Sequence, residues 1–181
     1  PLVDHDRMKR PPDSDAPQPL PPVVDERRMR EALKLAGQAA EDGEVPVGAV
    51  IVHNGQVIAR AHNQVEMLRD ATAHAEMIAL TQAAEALDNW RLEGAEIYVT
   101  LEPCAMCAGA LDLSRISRIV YGADDPNAGA CGSVFKINDD ARLNHRIPVV
   151  KGILSQDSAE LLRTFFRARR SGARPRPRDP S

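Results

Sequence analysis

The spacing of apolar residues in the first half of the chain predicts a helix, a hairpin and a second helix. Residues 25–43 repeat their apolar positions every three or four residues, with Asp25 as a candidate N-cap and a glycine as the stop, and therefore predict a helix. Two β-branched runs flank the dipeptide Asn54-Gly55, which is typical of a tight hairpin turn, and predict two antiparallel strands. Residues 72–87 return to the helical period.

The second half of the chain continues this alternation. Apolar and β-branched runs predict strands at 95–102, 118–123 and 146–152. The first of these leads directly into a helix that begins near Cys104, and residues 157–170 predict the last helix. A loop rich in glycine and aspartate spans residues 123–133. Helices interleaved with strands indicate a layered α/β domain.

Composition narrows the class of protein. The chain has 181 residues, of which 43% are hydrophobic, and this suffices for one domain with an apolar core. No apolar run is long enough to cross a bilayer, and the start of the chain does not resemble a signal peptide. Three cysteines are too few for a disulfide framework, so we expect a cytoplasmic, reducing location and no membrane partner.

The two ends of the chain differ from its centre. Residues 1–24 hold seven of the fourteen prolines, and we interpret them as a disordered leader that precedes a folded domain at 25–170. Residues 160–181 contain seven arginines against two acids, a local charge of +5 that leaves −8 for the remainder. The basic tail at 171–181 therefore suggests a polyanionic partner, the alternative being a frayed, solvated end.

Two cysteines three positions apart are candidates for a chemical role. By themselves Cys104 and Cys107 fit a redox pair, a structural clamp or half of a metal site. His74 lies in the first turn of another predicted helix, whose candidate N-cap is Thr72. Together the three side chains offer ligands that zinc prefers, and a catalytic zinc site has three protein ligands where a structural site has four. The sequence thus favours catalytic zinc, although Cys131 could in principle supply a fourth ligand.

Glu76 supports the catalytic interpretation. A suitable protein site can lower the pKa of zinc-bound water from about 9 for the aqueous ion to about 7. A carboxylate two residues from the ligand His74 could accept the proton and deliver it to a leaving group. The order His-x-Glu followed by Pro-Cys-x-x-Cys is the signature of the zinc-dependent nucleobase deaminases.

From about residue 44 to residue 170 the chain resembles the bacterial tRNA-specific adenosine deaminases, which have the cytidine deaminase-like fold. The resemblance implies a three-layer α/β/α fold with a central mixed sheet of about five strands, and it makes residues 25–170 a zinc-dependent deaminase domain. The matching stretches are EVPVGAVIV, AHN, TAHAEMIAL, WRLEGAEIYVTLEPCAMCAGA, SRISRIVYGADDPNAGACGS, NHR and FFRARR.

The resemblance also implies an activity and a set of contacts. The activity is hydrolysis of the wobble adenosine of a tRNA anticodon loop to inosine, with release of ammonia, by a homodimer that holds one zinc ion per subunit. Glu76 would shuttle the proton, while His74, Cys104 and Cys107 would hold the metal. Contacts to the flipped purine or to its neighbours are implied for Val47, Asn63, Ala75, Asp125, Asn144, Phe166 and Arg170. Asn127 stands where the family often has lysine, which puts one phosphate contact in doubt.

The residues alone leave three functions open. The first is adenosine deamination on tRNA, and a Phe165-Phe166 pair followed by arginines offers apolar contact beside positive charge for RNA. The alternative for these phenylalanines is that they pack the last helix onto the sheet. The second function is deamination of a free nucleobase or nucleoside, of guanine or cytosine type, and the third is RNA binding by a module whose zinc is only structural. Glu76 argues against the third, because a structural site has no use for that carboxylate.

Overall fold

A computed structural model describes residues 22–172. The predicted leader at 1–24 lies outside the described residues except for its last three positions, which form the start of the first helix. The predicted tail at 171–181 lies outside them except for its first two positions. In the part of the chain that is described, no helix is both long and apolar enough to span a membrane.

Helices and strands alternate along the described residues as the apolar pattern predicts. The helices are α1 Pro22–Glu41, α2 Val65–Leu68, α3 Ala75–Leu87, α4 Ala105–Leu113 and α5 Ser155–Arg170. The strands are β1 Gly48–His53, β2 Gln56–His62, β3 Ala95–Leu101, β4 Arg118–Ala123 and β5 Val149–Lys151, and a 3₁₀ turn spans Ile137–Asp139. The short α2 is not predicted from the sequence, because four residues are too few to show a helical period.

The five strands form one mixed sheet in the order β2-β1-β3-β4-β5. β1 pairs antiparallel with β2 and β3, whereas β3, β4 and β5 run parallel. The β1–β2 turn is the predicted Asn54-Gly55 dipeptide, and both residues have positive φ angles, of 50° and 75°. Such angles are required by the turn that matches the twist of a hairpin.

Helices cover both faces of the sheet and give the three layers that the resemblance implies. Along β1, Val50 and Val52 face α1, while Ala49 and Ile51 face α3 and α4, because successive strand residues point to opposite faces. α5 packs on the same face as α1. Phe165 is buried there, which agrees with the interpretation that it packs the last helix onto the sheet.

Asp25 does not cap α1, contrary to the sequence-based prediction, because the helix begins three residues earlier at Pro22. Its side chain is buried, and its two carboxylate oxygens lie 2.5 and 3.1 Å from the Arg118 guanidinium at the start of β4. Tyr98 and Glu96 of β3 complete this cluster, which we call the closed network. The closed network ties α1 to the amino ends of β3 and β4.

The carboxyl end of β3 forms the opposite edge of the sheet. β1 starts there, because it is antiparallel to β3, and α3 and α4 both begin there. Ligand sites in sheets of this kind lie at the carboxyl ends of the parallel strands.

Candidate metal and active site

The first residues of α3 and α4 meet at this edge. His74 is the N-cap residue of α3 and Cys104 is the N-cap residue of α4, so both have extended backbone conformations and project beyond their helices. Thr72 is not the cap that the sequence suggested. Its backbone N–H and hydroxyl both donate to Asp70 Oδ1, at 2.8 and 2.7 Å, so it belongs to the turn before the helix.

The three predicted metal ligands converge on one point. His74 Nδ1 lies 3.7 Å from the Cys104 sulfur and 3.5 Å from the Cys107 sulfur. All three ligand atoms lie within 4.8 Å of one another, and they form the one such group of three or more ligand side chains within residues 22–172. The donor set of one imidazole and two sulfurs could hold a metal ion.

The electrostatics of this group suit a cation. The hydrogen bond from Cys107 lowers the pKa of Cys104 to about 4, and the nearby His74 ring acts in the same direction. The pKa of His74 is raised, chiefly by its hydrogen bond to Cys104. A thiolate is therefore already favoured at one of the two sulfurs, and metal binding would displace the remaining protons.

Cys131, the alternative fourth ligand, does not join the group. It is buried in the loop after β4, and its backbone N–H donates to the Glu102 carboxylate at 2.9 Å. Burial raises the pKa of its thiol to about 12, which opposes the thiolate that a metal requires.

Glu76 lies in the first turn of α3, behind His74. Its side chain is 4% exposed, and this burial raises the pKa of its carboxyl group above the ordinary value. A carboxyl group with a raised pKa can both accept and donate a proton near neutral pH. Its position beside the ligand group makes it suited to move a proton there.

A cavity of about 300 Å³ opens in front of these residues. His74, Glu76 and Cys104 line it, as do three of the residues that the resemblance assigns to substrate: Val47, Asn63 and Asp125. The remaining wall comes from loops, from α2 and from the end of β3. It consists of Glu44, Val45, Val65, Glu66, Leu101, Glu102 and Ala128.

Four predicted contact residues lie away from the cavity lining. Ala75 is fully buried as the first residue of α3, so that any contact from it would come from its backbone. Asn144 is exposed in the loop before β5, while Phe166 and Arg170 are exposed on α5. Their roles stay predictions.

Glu102 is a residue of the site that the sequence did not reveal. Its carboxylate accepts hydrogen bonds from the backbone N–H groups of Asp125, Cys131 and Ser133, and from the Ser133 hydroxyl. A side chain at Gly129 would collide with it, so that the loop can fold over the carboxylate only with glycine there. Glu102 thereby shapes the loop that carries Asp125. The one available signal was a glutamate placed at the end of a buried strand.

Glu44 is the second residue that the sequence did not reveal. It lies between α1 and β1, it is 1% exposed, and it receives hydrogen bonds from Asn63 and from the first turn of α2. These partners are 19 to 23 residues away, so no local motif marks the residue.

Comparison with known proteins places the chain in a family. The MafB19-like deaminase profile matches residues 24–170. The tRNA-specific adenosine deaminase of Bacillus subtilis (strain 168) is 51% identical over 143 residues, which cover 79% of this chain and 89% of that protein.

Two solved structures share the fold. One comes from studies of A-to-I editing by tRNA:A34 deaminases at the wobble position of transfer RNA, and it matches with a TM-score of 0.73 and 46% identity, over 75% of this chain and 99% of that one. The other is a guanine deaminase from Nitrosomonas europaea, with a TM-score of 0.65 and 28% identity over 81% of this chain and 93% of that one. These matches confirm the cytidine deaminase-like α/β/α fold. The chain therefore belongs to the MafB19-like deaminases and to the family of tRNA-specific adenosine deaminases.

Proposed function

We propose that the protein hydrolyses adenosine to inosine at the wobble position of a tRNA anticodon loop, with one zinc ion per subunit. The observation that carries the proposal is the convergence of His74, Cys104 and Cys107 beside the buried Glu76 in a cavity. The 51% identity to a tRNA-specific adenosine deaminase supports the same activity. A tRNA substrate also fits the expected cytoplasmic location.

Zinc is the metal that fits the donor set best. Tetrahedral zinc with Zn–S bonds of about 2.3 Å and Zn–N bonds of about 2.0 Å would separate nitrogen and sulfur by roughly 3.5 Å. The observed separations of 3.5 and 3.7 Å agree with that value. Two thiolates and a neutral imidazole would also cancel the charge of the ion, so that an uncharged purine could enter the cavity without a large electrostatic penalty.

A zinc ion held by His74, Cys104 and Cys107 would supply an activated water for attack on C6 of adenine. The chain's own part in the reaction falls to Glu76. Its carboxylate passes one proton of the attacking water to N1 as the C6–N1 double bond opens, and then passes the second proton to the exocyclic nitrogen. A C6–O bond forms, the C6–N6 bond breaks, and the nitrogen leaves as ammonia. The raised pKa of Glu76 suits both transfers, because the group must hold the proton between them.

The walls of the cavity would hold the base. Val47 provides an apolar surface, and the Asn63 amide can form a hydrogen bond with the purine. The target base must leave its stack, which costs less in an anticodon loop that is already partly unstacked. Asp125, Asn144, Phe166 and Arg170, together with the backbone of Ala75, would contact the flipped base and its flanking nucleotides.

A homodimer is part of the proposal. Leu113 on α4 is 69% exposed, and Val134 and Phe135 are exposed in the loop that leads to the 3₁₀ turn packed against α4. Large exposed apolar side chains are typical of surfaces that are covered by another protein. A second copy of the chain would cover them.

The test is a substrate comparison. The zinc-loaded protein is incubated with an anticodon stem-loop that carries adenosine at the wobble position, and separately with free guanine, while inosine and ammonia are measured. We expect inosine from the stem-loop and no ammonia from guanine. Ammonia from guanine alone would favour the free-base activity of the Nitrosomonas relative, and no product from either would overturn the proposal.

A further inference from the structure

The Glu44 carboxylate has no part in the reaction proposed above, yet it is buried in the wall of the cavity. An ionisable side chain that is 1% exposed must be held by several hydrogen bonds, because its burial would otherwise be very costly. The hydrogen-bond partners of Glu44 therefore indicate its role.

All three partners of Glu44 are N–H donors. Asn63 Nδ2 lies 3.2 Å from Oε2, the Glu66 backbone N lies 3.2 Å from the same oxygen, and the Met67 backbone N lies 2.8 Å from Oε1. The carboxylate thus joins the loop after β2 to the first turn of α2. α2 is held in turn by Glu66, whose side chain lies 3.0 Å from Arg169 on α5.

These bonds determine which way the Asn63 amide points. A carboxylate can only accept hydrogen bonds, so the amide must turn its NH₂ group toward Glu44. The carbonyl oxygen of the amide, Oδ1, then faces away from Glu44. The backbone of Asn63 is fixed as well, because its N–H donates to the Val47 carbonyl at 3.0 Å.

We propose that Glu44 is a positioning residue that fixes Asn63 with its Oδ1 acceptor toward the substrate base. This inference rests on the proposed function, in which Asn63 contacts the purine. Glu44 touches no reacting atom, and it acts by excluding the flipped amide, which would present NH₂ to the base instead of an acceptor.

The test exchanges the polarity of the pair. Glu44→Gln leaves one acceptor oxygen where the carboxylate has two, so the Asn63 amide and the α2 backbone compete for it and the amide of Asn63 is no longer fixed. Asn63→Asp keeps an acceptor toward the cavity but sets two carboxylates against each other. Each single variant should lose about 10²-fold in kcat/KM, the scale of a misplaced contact. The double variant restores a donor–acceptor pair and keeps the acceptor toward the base, so it should return to within about tenfold of wild type.

If the losses in kcat/KM of the two single variants multiply in the double variant, the proposal is overturned, because Glu44 would then not act through Asn63. If Asn63→Asp does not fold, Asn63→Ala replaces it as the background. Glu44→Gln should then change kcat/KM by less than about threefold in that background, and a further loss near 10²-fold would overturn the proposal. The matched control is Glu85→Gln, a change of the same chemistry at an exposed position of α3.

A second readout separates this inference from the proposed function. The side-chain amide signals of Asn63 in a ¹H–¹⁵N NMR spectrum should shift in Glu44→Gln and stay in place in Glu85→Gln. If the wild-type protein makes no inosine, the proposed function fails while the amide signals still report on the pair. If the protein is active and these signals do not shift, the positioning role is overturned. Zinc content should equal that of wild type in all variants.

Discussion

The sheet has a group of polar side chains at each of two opposite edges, and the two groups are built on different principles. At the amino ends of β3 and β4, the closed network sets the cation of Arg118 against the carboxylates of Asp25 and Glu96, at 2.5 and 3.0 Å. The Tyr98 hydroxyl lies 3.0 Å from one carboxylate and 2.8 Å from the other. Both carboxylates contact the one guanidinium, so each charged group in the closed network has an opposite charge beside it.

In the described part of the chain, the group at the carboxyl end of β3 has no lysine or arginine beside it in this way. His74, Cys104 and Cys107 offer three electron-pair donors to one point, and among the described residues no lysine or arginine lies in the lining of the cavity they face. Glu76 adds a buried carboxyl group there with a raised pKa. The comparison shows that burial of polar groups alone does not mark a functional site. The mark is a set of converging donors whose cation must come from outside the chain.

Among the variants that test this comparison, the one that removes a sulfur ligand should have the largest effect on zinc content and activity. We expect Cys104→Ala to lose its bound zinc and its deaminase activity, because two remaining ligands cannot hold the ion. Zinc is measured by mass spectrometry on the purified protein, with Cys131→Ala as the control that keeps it. Stoichiometric zinc in Cys104→Ala would show that the ligand set is wrong.

Removal of the carboxyl group should separate metal binding from turnover. Glu76→Ala is expected to keep about one zinc per subunit and to lose about 10²-fold or more in kcat, the usual contribution of a general acid–base group. Inosine formation under single-turnover conditions gives the rate. A variant with near wild-type turnover would remove Glu76 from the mechanism.

Breaking the closed network should lower stability but leave zinc binding and turnover unchanged, in contrast to the two variants above. Arg118→Met leaves buried carboxylates without their cation, so it should lower the free energy of unfolding by about 3–5 kcal/mol. The folded fraction should still bind zinc and turn over normally. Urea unfolding gives the free energy, and Arg30→Met, which breaks an exposed ion pair with Glu26, should cost less than about 1 kcal/mol. Loss of zinc from folded Arg118→Met would contradict the separation of the two edges.

These outcomes bear on what the sequence could predict. The spacing of His74, Glu76, Cys104 and Cys107 within two short segments is itself the signal that identifies them. Helix α4 begins where expected, whereas α3 begins two residues later than a cap at Thr72 would place it. Asp25 was misjudged, because an acid ahead of an apolar run looks the same whether it caps a helix or pairs with Arg118, 93 residues away. The sheet order beyond the hairpin, and the cavity-wall roles of Glu44 and Glu102, depend on such distant partners as well.

A smaller effect concerns Glu102 and the loop after β4. Burial opposes its ionisation, but hydrogen bonds from the Ser133 side chain and from three backbone N–H groups outweigh burial and hold its pKa below the usual 4.5. Because the folded pKa is lowered, Glu102 stabilises the fold above about pH 4.5, and this contribution is lost as the pH falls through the folded value. Glu102→Gln should therefore be less stable than wild type at pH 7, and the difference should shrink below pH 4.5.

The measurement is urea unfolding of wild type and Glu102→Gln at a series of pH values. Glu85→Gln serves as the control and should run parallel to wild type. A gap between Glu102→Gln and wild type that stays constant down to acid pH would mean that the carboxylate is not held ionised by its loop.

The smallest expected effect lies on α5. Arg170→Gln should reduce the slope of log K against log salt for binding of an anticodon stem-loop by about 0.7, the contribution of one phosphate contact on a single strand. Arg163→Gln is the control, since Arg163 already lies 2.7 Å from Glu160 on the same helix. Equal slopes for wild type and Arg170→Gln would exclude Arg170 from phosphate contact.

X-ray absorption at the zinc edge tests the central claim most directly. The account predicts two sulfur neighbours at about 2.3 Å and two nitrogen or oxygen neighbours near 2.0–2.1 Å, one from His74 and one from water. Addition of a base analogue that competes for the water should alter the light-atom shell and leave both sulfurs in place. Three sulfur neighbours, or a zinc shell that no solvent or analogue can enter, would contradict it.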